Sequence, residues 1–483
     1  MNAKVSMAIA KDEWRYWRRS GRGVISGVTA LMLIVASLVS TVMHVETEST
    51  SRENFQAKAL EAFAAQPARH PHRMIHYGHY VFRVPPPLSV IDPGVDAFAG
   101  TVMFLEGHRQ NSAVFSPRYA GARAGPFADL SPAFTYQILL PLLLIVLGFA
   151  SIPREREGRT DYFLYAATVT AADLWLGKTI ALVGAAALSL VPLTIGLAFA
   201  YAAGESFFIA LYMLIGYGIY LLTWVFLITG LSAWARSAVG SFSVLLTCWV
   251  LLCVIIPPVV GSVASTAVLN KGKIASDLLV AQALRGSGDG HNVNDPAFVE
   301  LRAQLLEQYK VEHVADLPIN LRGVVSQIAE TKQSEVLNAF ADNRMSEELA
   351  QSKIVYWLGF ISPALALKNY SVITAGTDLR QYHRFQHEAE SLRYTFVQKL
   401  NKLHAEELAY TDDIQRSNNS AAEQRTRVSS TNWRMLEDVP VRPTKAVIRI
   451  FYSMPHLLII LAWCGLMIFV GLSGMSRGAQ DVN

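Results

Sequence analysis

Six apolar runs divide the chain, at residues 23–43, 134–152, 179–202, 207–233, 238–260 and 454–473. Each approaches the ~20 residues that a helix needs to cross a bilayer. The pattern predicts a mainly α, polytopic membrane protein with six transmembrane helices. Only Ala203–Ser206 separates the third and fourth runs, so those two form an antiparallel hairpin. Two polar segments, 44–133 and 261–453, are far longer than ordinary connections. One span precedes the first segment and five precede the second, which puts both on the same side.

The first polar segment begins with a helical pattern (Glu53–Ala65), then becomes turn-rich around His70-Pro71, Pro85-Pro86-Pro87 and Asp92-Pro93-Gly94. Tyr80–Val84 and Thr101–Leu105 read as short strands of a small mixed domain. The second reads as a larger helical domain. Ala297–His313, Leu321–Ala341, Ser346–Val355 and Asp378–Leu408 carry apolar residues at spacings of three and four. Gly286–Asn294 is a connector, and Ile354–Leu367 is apolar but too short to span, which predicts an external helix touching or dipping into the membrane. The fifth run is expected to stop at Pro257-Pro258.

Charge orients this pattern. The chain is 17% charged against ~25% in soluble proteins, and its net charge of +4 is too scattered for a nucleic-acid partner. Lys4, Lys11, Arg15, Arg18, Arg19 and Arg22 precede the first run, and Arg154, Arg156, Arg159 and Arg236 follow the second and fourth. The positive-inside rule then predicts cytoplasmic termini, with Arg477 in the tail 474–483, and both polar domains periplasmic or extracellular. Trp14, Arg15, Trp17 and Arg18, within residues 1–22, suit a helix lying in the cytoplasmic interface of the lipid bilayer. The first run is too long for a signal h-region, so a retained signal anchor is expected. Cys248, Cys253 and Cys464 all fall inside apolar runs, leaving the polar domains without disulfides.

The segment 153–178 carries the most specific chemistry. A span ends at Pro153, the charged turn Arg154-Glu155-Arg156-Glu157-Gly158-Arg159-Thr160 follows, and Asp161–Thr168 reads as a short helix before Gly177-Lys178 opens the next span. This arrangement resembles the coupling-helix region of type-2 ABC transporter permeases. The resemblance implies that Glu155, Arg156, Glu157, Gly158 and Thr160 couple to a separate cytoplasmic ATP-binding subunit, with Lys178 as the anchor at the next span. One departure is Arg159, which separates Gly158 from Thr160 where the family has the two adjacent. His76-Tyr77-Gly78, Asp92-Pro93-Gly94, Glu106–Asn111, Ser362-Pro363-Ala364 and Ala375–Asp378 resemble a bacterial subgroup of unknown function with large first and last periplasmic loops.

Other chemistries are weaker. Gly177-Lys178-Thr179 lacks the earlier glycine of a phosphate loop, with Ala172 in its place. His70, His72, His76, His79 and His108 allow a transition-metal site, or are surface and packing histidines. His383, His387 and Glu390 share a helix face, read here as a solvated one rather than a zinc site. The runs hold almost no ionisable residues, which disfavours ion-coupled transport. The resulting expectation is an inner-membrane permease subunit of an ATP-driven exporter. It is not itself an enzyme and binds no cofactor, since ATP and magnesium would sit on the partner subunit, and it pairs with a second copy or a paralogue. The alternative is a membrane-anchored envelope binding or assembly protein without transport.

Overall fold

The structure is a computed structural model that describes residues 2–111, 113, 130–285, 290–436 and 444–480. Of the predicted connector Gly286–Asn294, residues 286–289 lie outside the described residues, as do the side chain of Arg477 and the end of the tail. Among the described residues, six helices are long and apolar enough to cross a membrane: Arg22–Ala64, Pro132–Glu157, Ala171–Ala202, Phe207–Trp234, Ala238–Ala267 and Ala446–Gly474, the second with its apolar part ending before the charged helix Pro153–Glu157, which belongs to the connection. The chain is a mainly α, multi-pass membrane protein.

The fourth span is the centre of the bundle. It buries Tyr217, Tyr220, Trp224 and Ile228 completely and packs against the third and sixth spans. Glycine permits the closest approaches. A Cβ on Gly216 would stand 2.2 Å from the Tyr370 ring, and one on Gly230 would stand 3.1 Å from the backbone of Gly471. The second span opens with a π-turn, Thr135–Leu139, just ahead of Pro141. Proline cannot donate to the carbonyl four residues back, and that carbonyl, on Gln137, accepts from Tyr220 Oη at 2.5 Å instead.

The same device corrects an expectation about the fifth span. It does not stop at Pro257-Pro258 but continues to Ala267. A π-turn over Val250–Ile255 absorbs the missing donors, and Leu252 O accepts from Ser362 Oγ at 2.6 Å. The first span also runs beyond its apolar stretch. Arg22–Ala64 is one continuous helix of 43 residues, so the separate polar helix expected at Glu53–Ala65 is its extension out of the bilayer.

The two polar segments share cores. Phe63, Met74 and Ile75 pack with Phe396, Val397, Leu400 and Trp433. The strands His79–Phe82 and Val102–Leu105 pair antiparallel, with His79 opposite Leu105, and lay Val81, Met103 and Leu105 on Phe385 and Ala389. Leu321–Ala341 and Ser346–Val355 are one helix, Leu321–Trp357, which packs along Leu379–Glu407. The apolar stretch at Ile354–Leu367 is split between the end of that helix and a second one, Pro363–Ala375. The latter inserts between the fourth and sixth spans, capped by Ser362 Oγ accepting from Leu365 N at 3.2 Å. Where it ends, Arg449 donates to Thr374 O and Ala375 O and pairs with Glu205 at 2.6 Å, joining three elements at this end of the bundle.

Candidate functional site

The opposite end of the bundle gathers the amino-terminal helix Ala3–Arg19, the connection between the second and third spans, and the end of the sixth span beside Trp175 and Trp234. Ser6, Ala10, Glu13 and Trp17, at spacings of three and four, form the buried face of the amino-terminal helix. That face packs on the third span, where a Cβ at Gly177 would lie 2.6 Å from Ile9 Cβ. Asn2 N donates to Asp173 Oδ1 at 2.5 Å, and Asp173 forms a reciprocal capping box with Thr170 at the start of the third span. Gly21 makes the turn into the first span with a φ of 77°.

Beneath this packing lies a closed ring of charge. Lys178 Nζ is 2.6 Å from Glu13 Oε2 and 2.7 Å from Glu155 Oε1. Arg154 Nη2 closes the ring at 2.8 Å and 3.0 Å from the same two carboxylates, and its guanidinium lies 3.6 Å from the Tyr16 ring centroid. Two acids and two bases thus neutralise one another where a lone buried charge would be prohibitive. Burial alone would raise the Glu155 carboxyl, but the Lys178 ammonium, Thr160 and Arg154 hold it down at about 2.

The residues singled out by sequence are therefore mostly turned to internal tasks. Thr160 Oγ1 donates to Glu155 Oε2 at 2.5 Å. Arg156 donates to Ala235 O at 2.7 Å, at the end of the fourth span. Glu157 Oε1 accepts from Ala238 N at 2.9 Å, at the start of the fifth. Gly158 ends the helix Pro153–Glu157, and Arg159, with a φ of 54°, reverses the chain into the helix Thr160–Ala166. This second helix buries no residue at all, and Tyr162 and Phe163 are 63% and 77% exposed. Sequence reasoning missed both aromatics, and missed Glu13. The legible signal was two adjacent aromatics in a helix too short and too charged at its start to enter a bilayer.

Trp14, Arg15, Trp17 and Arg18 line a cleft of about 910 Å³ between the amino-terminal helix and the first three spans. Its inner wall is apolar, with Leu140, Leu144 and Ile180.

The five histidines of the first polar segment separate into three settings. His72, His76 and His108 meet one another together with His291, which sequence reasoning had not connected to them. His70 joins His404 around Asp413, at 3.1 and 2.9 Å. His79 packs edge-on against Phe63, and burial pushes its imidazole down to about 4. The face carrying His383, His387 and Glu390, expected to be solvated, leaves only His387 exposed and buries His383 and Glu390. His383 pairs at 2.6 Å with Glu348 of the helix Leu321–Trp357, which packs across this face, and Glu390 pairs at 2.7 Å with Arg393 one turn along its own helix.

A family described as a domain of unknown function (DUF3526) matches residues 277–438. Those residues make up most of the second polar segment. No curated protein matches the chain.

Proposed function

We propose that this chain is the membrane-spanning permease subunit of an ATP-driven ABC transporter, an exporter of the bacterial inner membrane, working with a separate ATP-binding subunit. The observation that carries the reading is the helix Thr160–Ala166, which presents Tyr162 and Phe163 to solvent from a rigid mount. Exposed adjacent aromatics on a surface helix are what a protein partner's pocket takes up. The basic residues Lys4, Lys11, Arg15, Arg18 and Arg19 flank this same end, which makes it the cytoplasmic one. Both polar segments then project outward.

The ring Glu13–Lys178–Glu155–Arg154 gives the helix its mechanical role. It ties the connection to the third span and to the amino-terminal helix at once. A push on Phe163 from a closing ATPase would therefore move those elements as one unit instead of bending the connection. ATP and magnesium belong to that subunit, and a second copy of this chain or a paralogue completes the pathway. The cleft beside Trp14 and Trp17, apolar within and basic at its edge, suits an amphipathic cargo.

The test is co-purification from native membranes in mild detergent with an ATPase assay. The unaltered chain should bring down an ATP-binding protein, and Tyr162→Ala with Phe163→Ala should lose it while the chain stays folded. A chain that carries envelope proteins but no ATPase would be an assembly factor instead.

A further inference from the structure

Four imidazoles from three separate stretches of the chain converge in the polar domains. His72 and His76 stand one turn apart on the helix Pro71–Tyr77, which the His70 ring caps by accepting from His72 N at 3.1 Å. His108 arrives on the turn that follows the strand Val102–Leu105. That turn is docked tightly on the helix. Gly107 N donates to Ile75 O at 3.0 Å, and a Cβ on Gly107 would fall 1.9 Å from Ile75 Cγ2. His108 itself holds a φ of 63°, a conformation that costs a residue with a side chain and collects at ligand-binding positions. His291 comes from the second polar segment, where Gly290 O accepts from Ser326 Oγ at 3.1 Å.

The spacing is that of a ligand set. One ring nitrogen of each histidine lies within 4.8 Å of the corresponding atom of every other. Tetrahedral zinc with bonds of about 2.0–2.1 Å places its nitrogens about 3.3 Å apart, and His72 Nε2 and His76 Nε2 are already 3.2 Å apart. Among the described residues, His108 Nε2, on the far side of the ring from Glu330, is buried without a hydrogen-bond partner. Glu330, itself fully buried and held by Arg393 at 2.6 Å, stands 3.1 Å from His108 Nδ1. A carboxylate behind an imidazole is the usual means of fixing the tautomer of a metal-bound histidine.

The other histidine group is of a different kind. Asp413, between His70 and His404, also takes Arg416 at 3.0 Å and Arg322 at 3.7 Å. Its oxygens are occupied, and its neighbours would repel a cation.

We propose that His72, His76, His108 and His291 bind a borderline first-row divalent cation, zinc above all, and that the metal clips the second polar domain to the first. An all-imidazole set without thiolate suits zinc, copper(II) or nickel(II) in preference to calcium or magnesium. His76 and His291 are exposed, which gives the ion an entry path from solvent. The site needs only the two polar segments and stands whether or not the chain transports anything.

The test uses the full chain in detergent, purified without a polyhistidine tag, stripped with chelator and titrated with zinc against a chromophoric competitor. One zinc per chain is expected, and cobalt(II) in its place should give the visible bands of a tetrahedral nitrogen site. His76→Ala with His291→Ala, both at exposed positions, should weaken binding by more than the ~10–100-fold that loss of a supporting partner costs. His404→Ala should leave the stoichiometry and the cobalt spectrum unchanged. Absence of stoichiometric zinc, zinc retained by the His76/His291 variant, or zinc lost with His404 would each overturn the assignment.

Discussion

Each end of the helix bundle holds a buried ion-pair junction, and the two are built differently. At the cytoplasmic end of the proposed topology, Glu13, Arg154, Glu155 and Lys178 form a closed ring linking the amino-terminal helix, the connection and the third span. At the other end Arg449 alone reaches Glu205 and the last carbonyls of the inserted helix Pro363–Ala375. The ring is redundant, since each charge touches two partners. The single arginine is not. A redundant joint tolerates load from outside and keeps its shape, which fits a surface that is pushed. A joint resting on one side chain keeps the inserted helix seated but can be released by a single break.

Substitutions should separate these two designs. Lys178→Met leaves Arg154 as the one base bridging two largely buried carboxylates, so the ring keeps its link but holds an uncompensated negative charge. A loss of stability toward the upper end of about 3–5 kcal/mol is expected, read by thermal unfolding in detergent. Adding Glu13→Gln to it should recover part of that loss. Arg449→Met leaves one buried carboxylate, Glu205, without its base and takes a donor from Thr374 O and Ala375 O, so a loss nearer about 3 kcal/mol follows. Its second signature is faster hydrogen exchange in Pro363–Ala375, while exchange in Thr160–Ala166 stays unchanged. Equal loosening of both ends by either variant would erase the distinction.

A smaller effect appears on acidification. Glu155 is held at about 2 against an ordinary 4.5, so the folded state binds fewer protons than the unfolded one between those values. Its contribution, on the order of 2 kcal/mol, is complete above about pH 4.5 and is lost as pH falls toward 2. Unfolding midpoints measured from pH 7 to 3 should fall less steeply for Glu155→Gln than for the unaltered chain. Smallest of all in stability is Tyr162→Ala with Phe163→Ala, within about 0.5 kcal/mol, since neither ring is buried.

Much of this architecture was legible in the sequence. The six apolar runs carry a bilayer-length signal that neither propensity nor packing can override, and the short apolar pieces Tyr80–Val84 and Thr101–Leu105 marked the two strands to within two residues, though not their pairing. What stayed hidden was set by contacts across the chain. Pro257-Pro258 read as a stop because a π-turn has no sequence signature. That Glu155 shares Arg154 and Lys178 with Glu13 was also hidden, because Glu13 lies far from it in the sequence. His291 could not be joined to His72 from spacing alone, and the buried face of His383 and Glu390 depends on a helix that arrives from elsewhere.

The most direct measurement is photo-crosslinking in native membranes, with a benzophenone amino acid replacing Phe163 and, as a control, replacing Tyr201 at the opposite end of the third span. The account predicts an adduct between position 163 and an ATP-binding protein, altered in yield by a non-hydrolysable ATP analogue, and none from position 201. Adducts at 163 to lipid alone, or to the same partners as position 201, would contradict it.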